Sequence, residues 1–284
     1  GFPWGAGGYA HVEGPLAVLA RHMGVYGISA VAAALAMGMV QVRVADLRSV
    51  RWWALLLALG GLLAWATVDR HCAMDLCHTP AHRRPAPLSL ELLQGNIPQD
   101  EKFQPGSGVP VALQWYAGAL RNAQADLVVA PEAASPLLPQ KLGPGYPDGL
   151  AQNYAQGRQA ALVGIPLGDE QQGYTNSVLG WGGAATPGQP YQYDKHHLVP
   201  FGEFIPLGFR WFVDMMQMPL GDFARGPLVA PSFGVRGERV GPNICYEDLF
   251  GEELAARFVD EATAPTVLAN VSNIGWFGES VAVD

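Results

Sequence analysis

A glutamate, a lysine and a cysteine in this sequence lie at predicted strand ends or in adjacent loops. Glu132 follows one short apolar run, Lys195 lies in a loop, and Cys245 ends another apolar run. Acyl transfer needs a nucleophile, a proton acceptor and a group that stabilises the oxyanion. A thiol attacks only as the thiolate, so a carboxylate that takes its proton and an ammonium that stabilises the negative charge complete the set. These residue types together predict a covalent, cysteine-based acyl-transfer site.

Each of these residues has an ordinary explanation when it is considered alone. A glutamate after a strand is most often a solvated charge, and a lone lysine is usually on the surface. A cysteine on an apolar strand is usually an inert core residue. Only the combination favours catalysis. The adjacent His196 and His197 do not add a metal site, because neighbouring side chains on a strand point to opposite faces.

The elements that must position these residues are short apolar strands separated by helical or loop stretches. A helix is predicted over residues 111–123. This alternation predicts an α/β layered domain over residues 88–284, preceded by a linker at 69–87. The predicted strands cover residues 88–93, 126–130, 160–165, 177–181, 240–245 and 266–271.

The order glutamate, lysine, cysteine, each after a strand, resembles the nitrilase superfamily, whose members share a four-layer αββα fold. The flanking motifs narrow the resemblance to apolipoprotein N-acyltransferases, and it covers nearly the whole chain. In that family the domain continues beyond the motif that is found here at residues 272–278. The resemblance therefore implies a C-terminally truncated sandwich within a longer protein. The motifs are QGNIPQ at 94–99, PEA at 131–133, KHHLVPFGEFIP at 195–206, ICYE at 244–247 and SNIGWFG at 272–278.

The resemblance implies a role for each matching residue. Glu132 would be the general base, Lys195 the group that stabilises the oxyanion, and Cys245 the nucleophile. Glu203 matches a second acid that supports the lysine and the base, and Tyr246 follows the nucleophile as in the family. The resemblance implies neither a metal ion nor an organic cofactor.

Four further features allow more than one interpretation. Glu247 orients the amine or orders the loop, or it forms a plain salt bridge. Trp276 lines an acyl pocket or belongs to the core. Arg225 binds a lipid phosphate or is an ordinary surface arginine. It lies in a segment that resembles the family's Arg-Gly-Pro motif. The oily segment 204–220 contacts lipid tails or packs on the domain. Its lipid-binding candidates are Trp211, Phe212, Met215 and Met216.

The composition favours a protein with membrane-spanning segments. Of the 284 residues, 49% are hydrophobic and only 15% are charged. Two uncharged runs, 23–40 and 52–68, are predicted to be transmembrane helices. A pair of buried helices in a soluble core is disfavoured, because the runs are apolar on all sides. The formal net charge of −8 argues against a nucleic-acid partner.

The short loop between the two runs carries Arg43, Arg48 and Arg51 against a single acid. The positive-inside rule places this loop in the cytoplasm. The linker and the α/β domain then face the periplasm, in a multi-pass protein of a bacterial inner membrane. In that oxidising compartment Cys72 and Cys77 either form a small disulfide or stay free.

These features predict a ping-pong acyltransferase with a membrane-embedded part. Through the resemblance, the acyl donor is a phospholipid and the acceptor is the N-terminal amine of a diacylglyceryl-cysteine lipoprotein. The alternative is a nitrilase-type amidase that hydrolyses a carbon–nitrogen bond in a small substrate, since the same triad would serve it. The two membrane runs and the oily segment count against the amidase. A non-catalytic membrane scaffold is disfavoured by the intact triad.

Overall fold

The chain divides into two compact units, residues 1–86 and 87–284. The computed structural model describes residues 6–41, 49–74, 87–98, 101–143, 145–155, 159–185, 189–208 and 222–277. Several predicted features therefore lie outside the described residues. They are Trp211, Phe212, Met215, Met216, Cys77 and most of the arginine-rich loop.

The N-terminal unit is built from two long apolar helices. Helix α1 covers Ala20–Gln41 and helix α2 covers Val50–Met74. The stretch Pro15–Gln41, which adds a short 3-10 turn to α1, is long and apolar enough to cross a membrane. The backbone is not helical at Gly24, so the regular part of α1 runs over residues 25–41. At 1.5 Å per residue this part rises about 26 Å, somewhat less than the thickness of about 30 Å of a bilayer's hydrocarbon core. The predicted run 23–40 lies within this helix.

Helix α2 is a weaker membrane candidate. Its apolar part runs only from Trp52 to Trp65, which is shorter than the about 20 residues that a full crossing needs. Length and composition thus support one span among the described residues, and the second span stays a prediction. Because α2 continues to Met74, the first residues of the predicted linker are helical. Leu63 of α2 packs against the same apolar cluster as Leu35 of α1.

Five strands form the first sheet of the C-terminal unit, in sequence order. They are β1 (Leu90–Leu92), β2 (Leu127–Ala130), β3 (Ala160–Asp169), β4 (Gly173–Gly182) and β5 (Tyr191–Asp194). The first three are parallel, whereas β4 is antiparallel to both β3 and β5. Strand β5 therefore runs in the same direction as β2. The carboxyl ends of β2 and β5 consequently lie at the same edge of the sheet.

Two helices connect the parallel strands of this sheet. Helix α3 (Gly108–Asn122) links β1 to β2, and helix α4 (Tyr146–Tyr154) links β2 to β3. Both helices pack on one face of the sheet, where Tyr116 and Tyr154 join Val128 in a buried cluster. The neighbouring Val129 points to the opposite face, as the alternation of side chains along a strand requires.

Three strands form the second sheet: β6 (Phe233–Val235), β7 (Glu238–Ile244) and β8 (Val267–Val271). Strands β6 and β7 make an antiparallel hairpin, while β7 and β8 are parallel. The short helix α5 (Gly251–Ala255) lies in the connection between β7 and β8.

The two sheets pack face to face through a second buried cluster. Leu162 and Val178 of the first sheet meet Phe233, Val240 and Ile244 of the second. The unit is thus layered helix, sheet, sheet, which agrees with three layers of the predicted αββα sandwich. Between β7 and β8 the described residues supply only α5 and two short 3-10 helices, Cys245–Leu249 and Ala256–Phe258. The fourth layer therefore stays a prediction.

Candidate active site

Three strand ends converge on the predicted catalytic residues. Strand β2 is a fully buried run of four apolar residues, and Pro131, which has no N–H to donate to a neighbouring strand, ends it. Glu132 follows this proline. Lys195 directly follows β5, and Cys245 directly follows β7. Because β2 and β5 end at the same edge and β7 belongs to the sheet that packs against them, the three residues approach one site.

Glu132 is a buried carboxylate held by neutral donors. The residue retains 8% of its full exposure. One carboxylate oxygen accepts a hydrogen bond from Asn176 Nδ2 at 2.7 Å. The other accepts a hydrogen bond from the backbone N–H of Asn273 at 3.1 Å. The turn after it is tight: Ala133 has a φ of +50°, and a side chain at Gly164 would collide with the Pro131 carbonyl. The carboxylate therefore stands on a strained, closely packed turn.

Lys195 is fully buried, at 0% exposure, between two carboxylates. Its Nζ lies 2.9 Å from Glu203 Oε2 and 4.0 Å from Glu132 Oε1. Its backbone N–H donates to the Asn176 carbonyl at 2.9 Å, so Asn176 contacts the lysine through its main chain and both acids through its side chain. A buried ammonium is stable only when it is paired, and Glu203 supplies the closer partner.

Glu203 joins the lysine to the loop that follows it. Its Oε1 accepts hydrogen bonds from the Lys195 ammonium at 3.0 Å and from the Asn176 side-chain amide at 2.7 Å. Its Oε2 also accepts the backbone N–H of Val199 at 2.8 Å. The carboxylate is buried and closes the loop 195–203 onto the ammonium.

Cys245 starts a short 3-10 helix in a strained conformation, with a φ of +57°. This left-handed conformation is uncommon for residues other than glycine and concentrates at functional sites. Burial raises the pKa of the half-buried Cys245 thiol, the charge of Glu132 raises it further, and Lys195 and a hydrogen bond from Ser272 lower it. The resting thiol is therefore protonated at neutral pH, and its reactivity depends on a base that removes the proton.

Glu247 ties the cysteine loop to the lysine loop. Its Oε1 accepts the backbone N–H groups of His196 and His197 at 2.8 and 3.0 Å. Its Oε2 accepts the Ile244 N–H and the Tyr193 hydroxyl, both at 2.7 Å. The described residues place no cation beside it, so the geometry favours the loop-ordering interpretation over the plain salt bridge.

Tyr246 lies under the ammonium. Lys195 Nζ is 5.4 Å from the centre of its ring, within the range of a cation–π contact. The Tyr246 hydroxyl donates to the Leu198 carbonyl at 2.6 Å, and burial raises its pKa. The side chain thus anchors the lysine loop from the other side.

Arg225 and Trp276 are the remaining predicted residues that lie in the described part of the chain. Arg225 is exposed, with its guanidinium 5.1 Å from the ring centre of Phe204. Trp276 lies in the helical turn Ile274–Phe277, and its side chain is outside the described atoms. Among the residues that the structure describes, no group of three or more His, Cys, Asp or Glu side chains could hold a metal ion.

Sequence reasoning missed three groups that touch the site. Asn176 gives no signal, because it lies inside an ordinary strand. Asn273 falls in the SNIGWFG motif, yet it contributes through its backbone N–H, which no side-chain pattern reveals. Lys102 lies shortly after the QGNIPQ motif and is buried at 3% exposure, with Nζ donating to the Glu132 carbonyl at 3.1 Å.

The chain matches the family model for carbon-nitrogen hydrolases over residues 92–284. Over its whole length it is 66% identical to an apolipoprotein N-acyltransferase of Verminephrobacter eiseniae, of which it covers 53%. It is 46% identical, again over its whole length, to an apolipoprotein N-acyltransferase of Ralstonia nicotianae, of which it covers 52%. The chain therefore spans about half the length of these curated relatives.

The predicted resemblance to apolipoprotein N-acyltransferases is thereby confirmed. Among solved structures, an amidase from Nesterenkonia sp. aligns with a TM-score of 0.42 and 16% identity, covering 66% of each chain. That likeness is too distant to support any conclusion about activity. The α/β layers and the family match over two thirds of the chain agree with each other. This chain belongs to the carbon-nitrogen hydrolase family.

Proposed function

We propose that this chain is the catalytic part of an apolipoprotein N-acyltransferase. It moves an acyl chain from a phospholipid, through a thioester on Cys245, to the N-terminal amine of a diacylglyceryl-cysteine lipoprotein. The observation that carries the proposal is the match of the two relatives over the whole chain. Their alignment extends over the apolar N-terminal helices of this chain as well as its α/β unit. A small soluble amidase does not need such helices.

In the first half of the reaction, Glu132 takes the proton of the Cys245 thiol as the sulfur attacks the ester carbonyl of the phospholipid. The Lys195 ammonium stabilises the tetrahedral oxyanion. The carbon–oxygen bond then breaks, and the proton held by Glu132 passes to the departing alcohol. A lysophospholipid leaves, and the acyl chain remains on sulfur as a thioester. The raised pKa of the thiol requires this proton transfer.

In the second half, the lipoprotein amine attacks the thioester carbonyl. Glu132 accepts a proton from the amine, and Lys195 again stabilises the oxyanion. The carbon–sulfur bond breaks, and Cys245 recovers its proton from Glu132. The product is an N-acylated lipoprotein, and the enzyme returns to its starting state. The scheme uses only protein side chains.

The supporting residues keep this machinery in place. Glu203 neutralises the Lys195 ammonium, and Glu247 and Tyr246 hold the loops on either side of it. Arg225 is proposed to meet the lipid phosphate. Trp276 and the segment with Trp211, Phe212, Met215 and Met216 are proposed to contact the acyl chain.

The proposed location is a bacterial inner membrane. Helix α1 would cross it, the apolar part of α2 would form a second span, and further spans would belong to the longer protein. The arginine-rich loop between the helices would face the cytoplasm. The catalytic unit would then face the periplasm, where lipoprotein acceptors are displayed.

The test is to incubate the full-length protein with a phospholipid that carries a labelled acyl chain. The label should appear on Cys245 in a form that hydroxylamine releases, and it should move to a diacylglyceryl-cysteine peptide when the peptide is added. The Cys245→Ala variant should acquire no label. An amidase would not load from phospholipid, and labelled peptide formed by Cys245→Ala would end the thioester scheme.

A further inference from the structure

A second buried lysine, Lys102, lies beside the catalytic turn and has no part in the scheme above. It retains 3% of its full exposure, and its Nζ donates to the main-chain carbonyl of Glu132 at 3.1 Å. The contact joins the segment before α3 to the turn after β2. Residues that are 30 positions apart are thereby held together at the proposed base.

The main chain of Lys102 is itself closely held. Its N–H donates to the Pro98 carbonyl at 2.9 Å. A side chain at Gly108 would collide with the Glu101 carbonyl, so the start of α3 packs directly on this turn. The lysine therefore extends from a fixed base, and its ammonium has a defined position.

A buried ammonium is a costly way to fill space, because the charge loses its hydration. Burial lowers the pKa of Lys102 to about 8, and the negative charge of Glu132 opposes this shift. An apolar side chain such as methionine would fill the space without that penalty. The presence of a buried ammonium and its hydrogen bond to the Glu132 carbonyl therefore need an explanation other than packing.

The contact reaches the one turn whose geometry aims the proposed base. The residue after Glu132, Ala133, has a φ of +50°, a conformation that persists only when its surroundings impose it. The carbonyl that Lys102 holds belongs to the peptide between these two residues. Losing the contact would let this peptide rotate, and the carboxylate would move with it.

We propose that Lys102 is a positioning residue: its ammonium fixes the Glu132 carbonyl and so keeps the Glu132 carboxylate aimed at the Cys245 thiol. This role rests on the proposed function of Glu132 as the base. The contacts described for Lys102 are with the Glu132 and Pro98 carbonyls and not with Cys245. Its effect on the reaction must therefore pass through Glu132.

A double-mutant cycle in the full-length protein tests this dependence. Lys102→Met is made in the wild type and in Glu132→Gln, and Lys141→Met serves as the matched control. Lys141 is an exposed lysine on the loop that follows the same turn. One readout is the single-turnover rate of acyl-enzyme formation from phospholipid micelles. The other is the rate of Cys245 alkylation by iodoacetamide, measured on its peptide by mass spectrometry.

In the wild-type background Lys102→Met should slow acyl-enzyme formation by about tenfold or more, since a misplacement of about 1 Å can cost on the order of 10²-fold. The same variant should speed alkylation, because a displaced Glu132 carboxylate no longer raises the pKa of the Cys245 thiol. In Glu132→Gln the same change should alter either rate by less than about twofold, because the group it positions is gone. Lys141→Met should leave both rates unchanged. If Lys102→Met does not fold, Lys102→Gln, whose side chain is one bond shorter and carries no charge, takes its place in the cycle.

An equal change in both backgrounds would show that Lys102 is only structural and would overturn the inference. Alkylation separates this failure from failure of the proposed function, because it needs no lipid. A protein that takes no acyl chain but keeps the non-additive alkylation cycle would refute the acyltransferase proposal and retain the positioning role.

Discussion

Replacing Glu247 by glutamine should loosen two loops at once, because one carboxylate holds both. Its oxygens accept four donors: the N–H groups of His196, His197 and Ile244, and the Tyr193 hydroxyl. Glutamine turns one oxygen into an NH₂ group. The tyrosine hydroxyl can rotate to accept from it, but a backbone N–H cannot. At least one buried N–H therefore loses a charge-assisted bond worth about 1.5–3 kcal/mol, so we expect a destabilisation of about 2–4 kcal/mol.

The assay combines thermal unfolding of the full-length protein in detergent with separate rates for acyl-enzyme formation and for transfer to the peptide. Both rates should fall on the order of 10²-fold, because the loops carry the nucleophile and the lysine. Glu253→Gln is the control, since this acid contacts the His197 ring at 2.8 Å but its side chain is 31% exposed. Wild-type stability together with acylation within about threefold would refute the loop-ordering argument. A loss confined to the transfer step would instead assign Glu247 to the amine.

Three further predictions concern the triad and the membrane. Lys195→Met and Glu132→Gln should each slow acyl-enzyme formation by on the order of 10²-fold or more, and a loss below about threefold in single-turnover assays would mean that the wrong residue is assigned. Because Glu132 raises the pKa of the Cys245 thiol and Lys195 lowers it, the pH midpoint of Cys245 alkylation should fall in Glu132→Gln and rise in Lys195→Met; opposite shifts would contradict the electrostatics. A cysteine at Ser49 should resist a membrane-impermeant thiol reagent in intact cells, and labelling from outside would invert the proposed topology.

The apolar periodicity located most of the sheet. Helix α3, at Gly108–Asn122, lies within a few residues of its predicted range, and all six predicted strands overlap strands in the structure. These segments are short and rich in apolar residues, and such segments are recognisable without tertiary information. Strands β5 and β6 were not predicted. Their burial comes from packing against neighbouring strands more than from a run of apolar residues, and β6 has only three residues, Phe233–Val235.

Some residues of the candidate site could likewise be predicted from the sequence, and others could not. Its acids, its lysine and its cysteine could be predicted because the proposed chemistry depends on their side chains. Asn273 could not be, because its contribution is a backbone N–H, which every residue except proline carries. Lys102 was missed for a related reason. A lone lysine is normally on the surface, and only the fold reveals that it is buried against Glu132.

The unequal pairing of Lys195 explains why the two neighbouring glutamates can have different tasks. The ammonium lies 2.9 Å from Glu203 but 4.0 Å from Glu132, so Glu203 carries most of its neutralisation. Glu132 instead accepts two neutral N–H donors, and a carboxylate has about four lone-pair sites. It therefore keeps room for an incoming proton, whereas Glu203 is occupied by the cation and by two further N–H donors. Asn176, which donates to both acids, holds them apart, so that one glutamate stabilises the buried charge while the other stays available to the thiol.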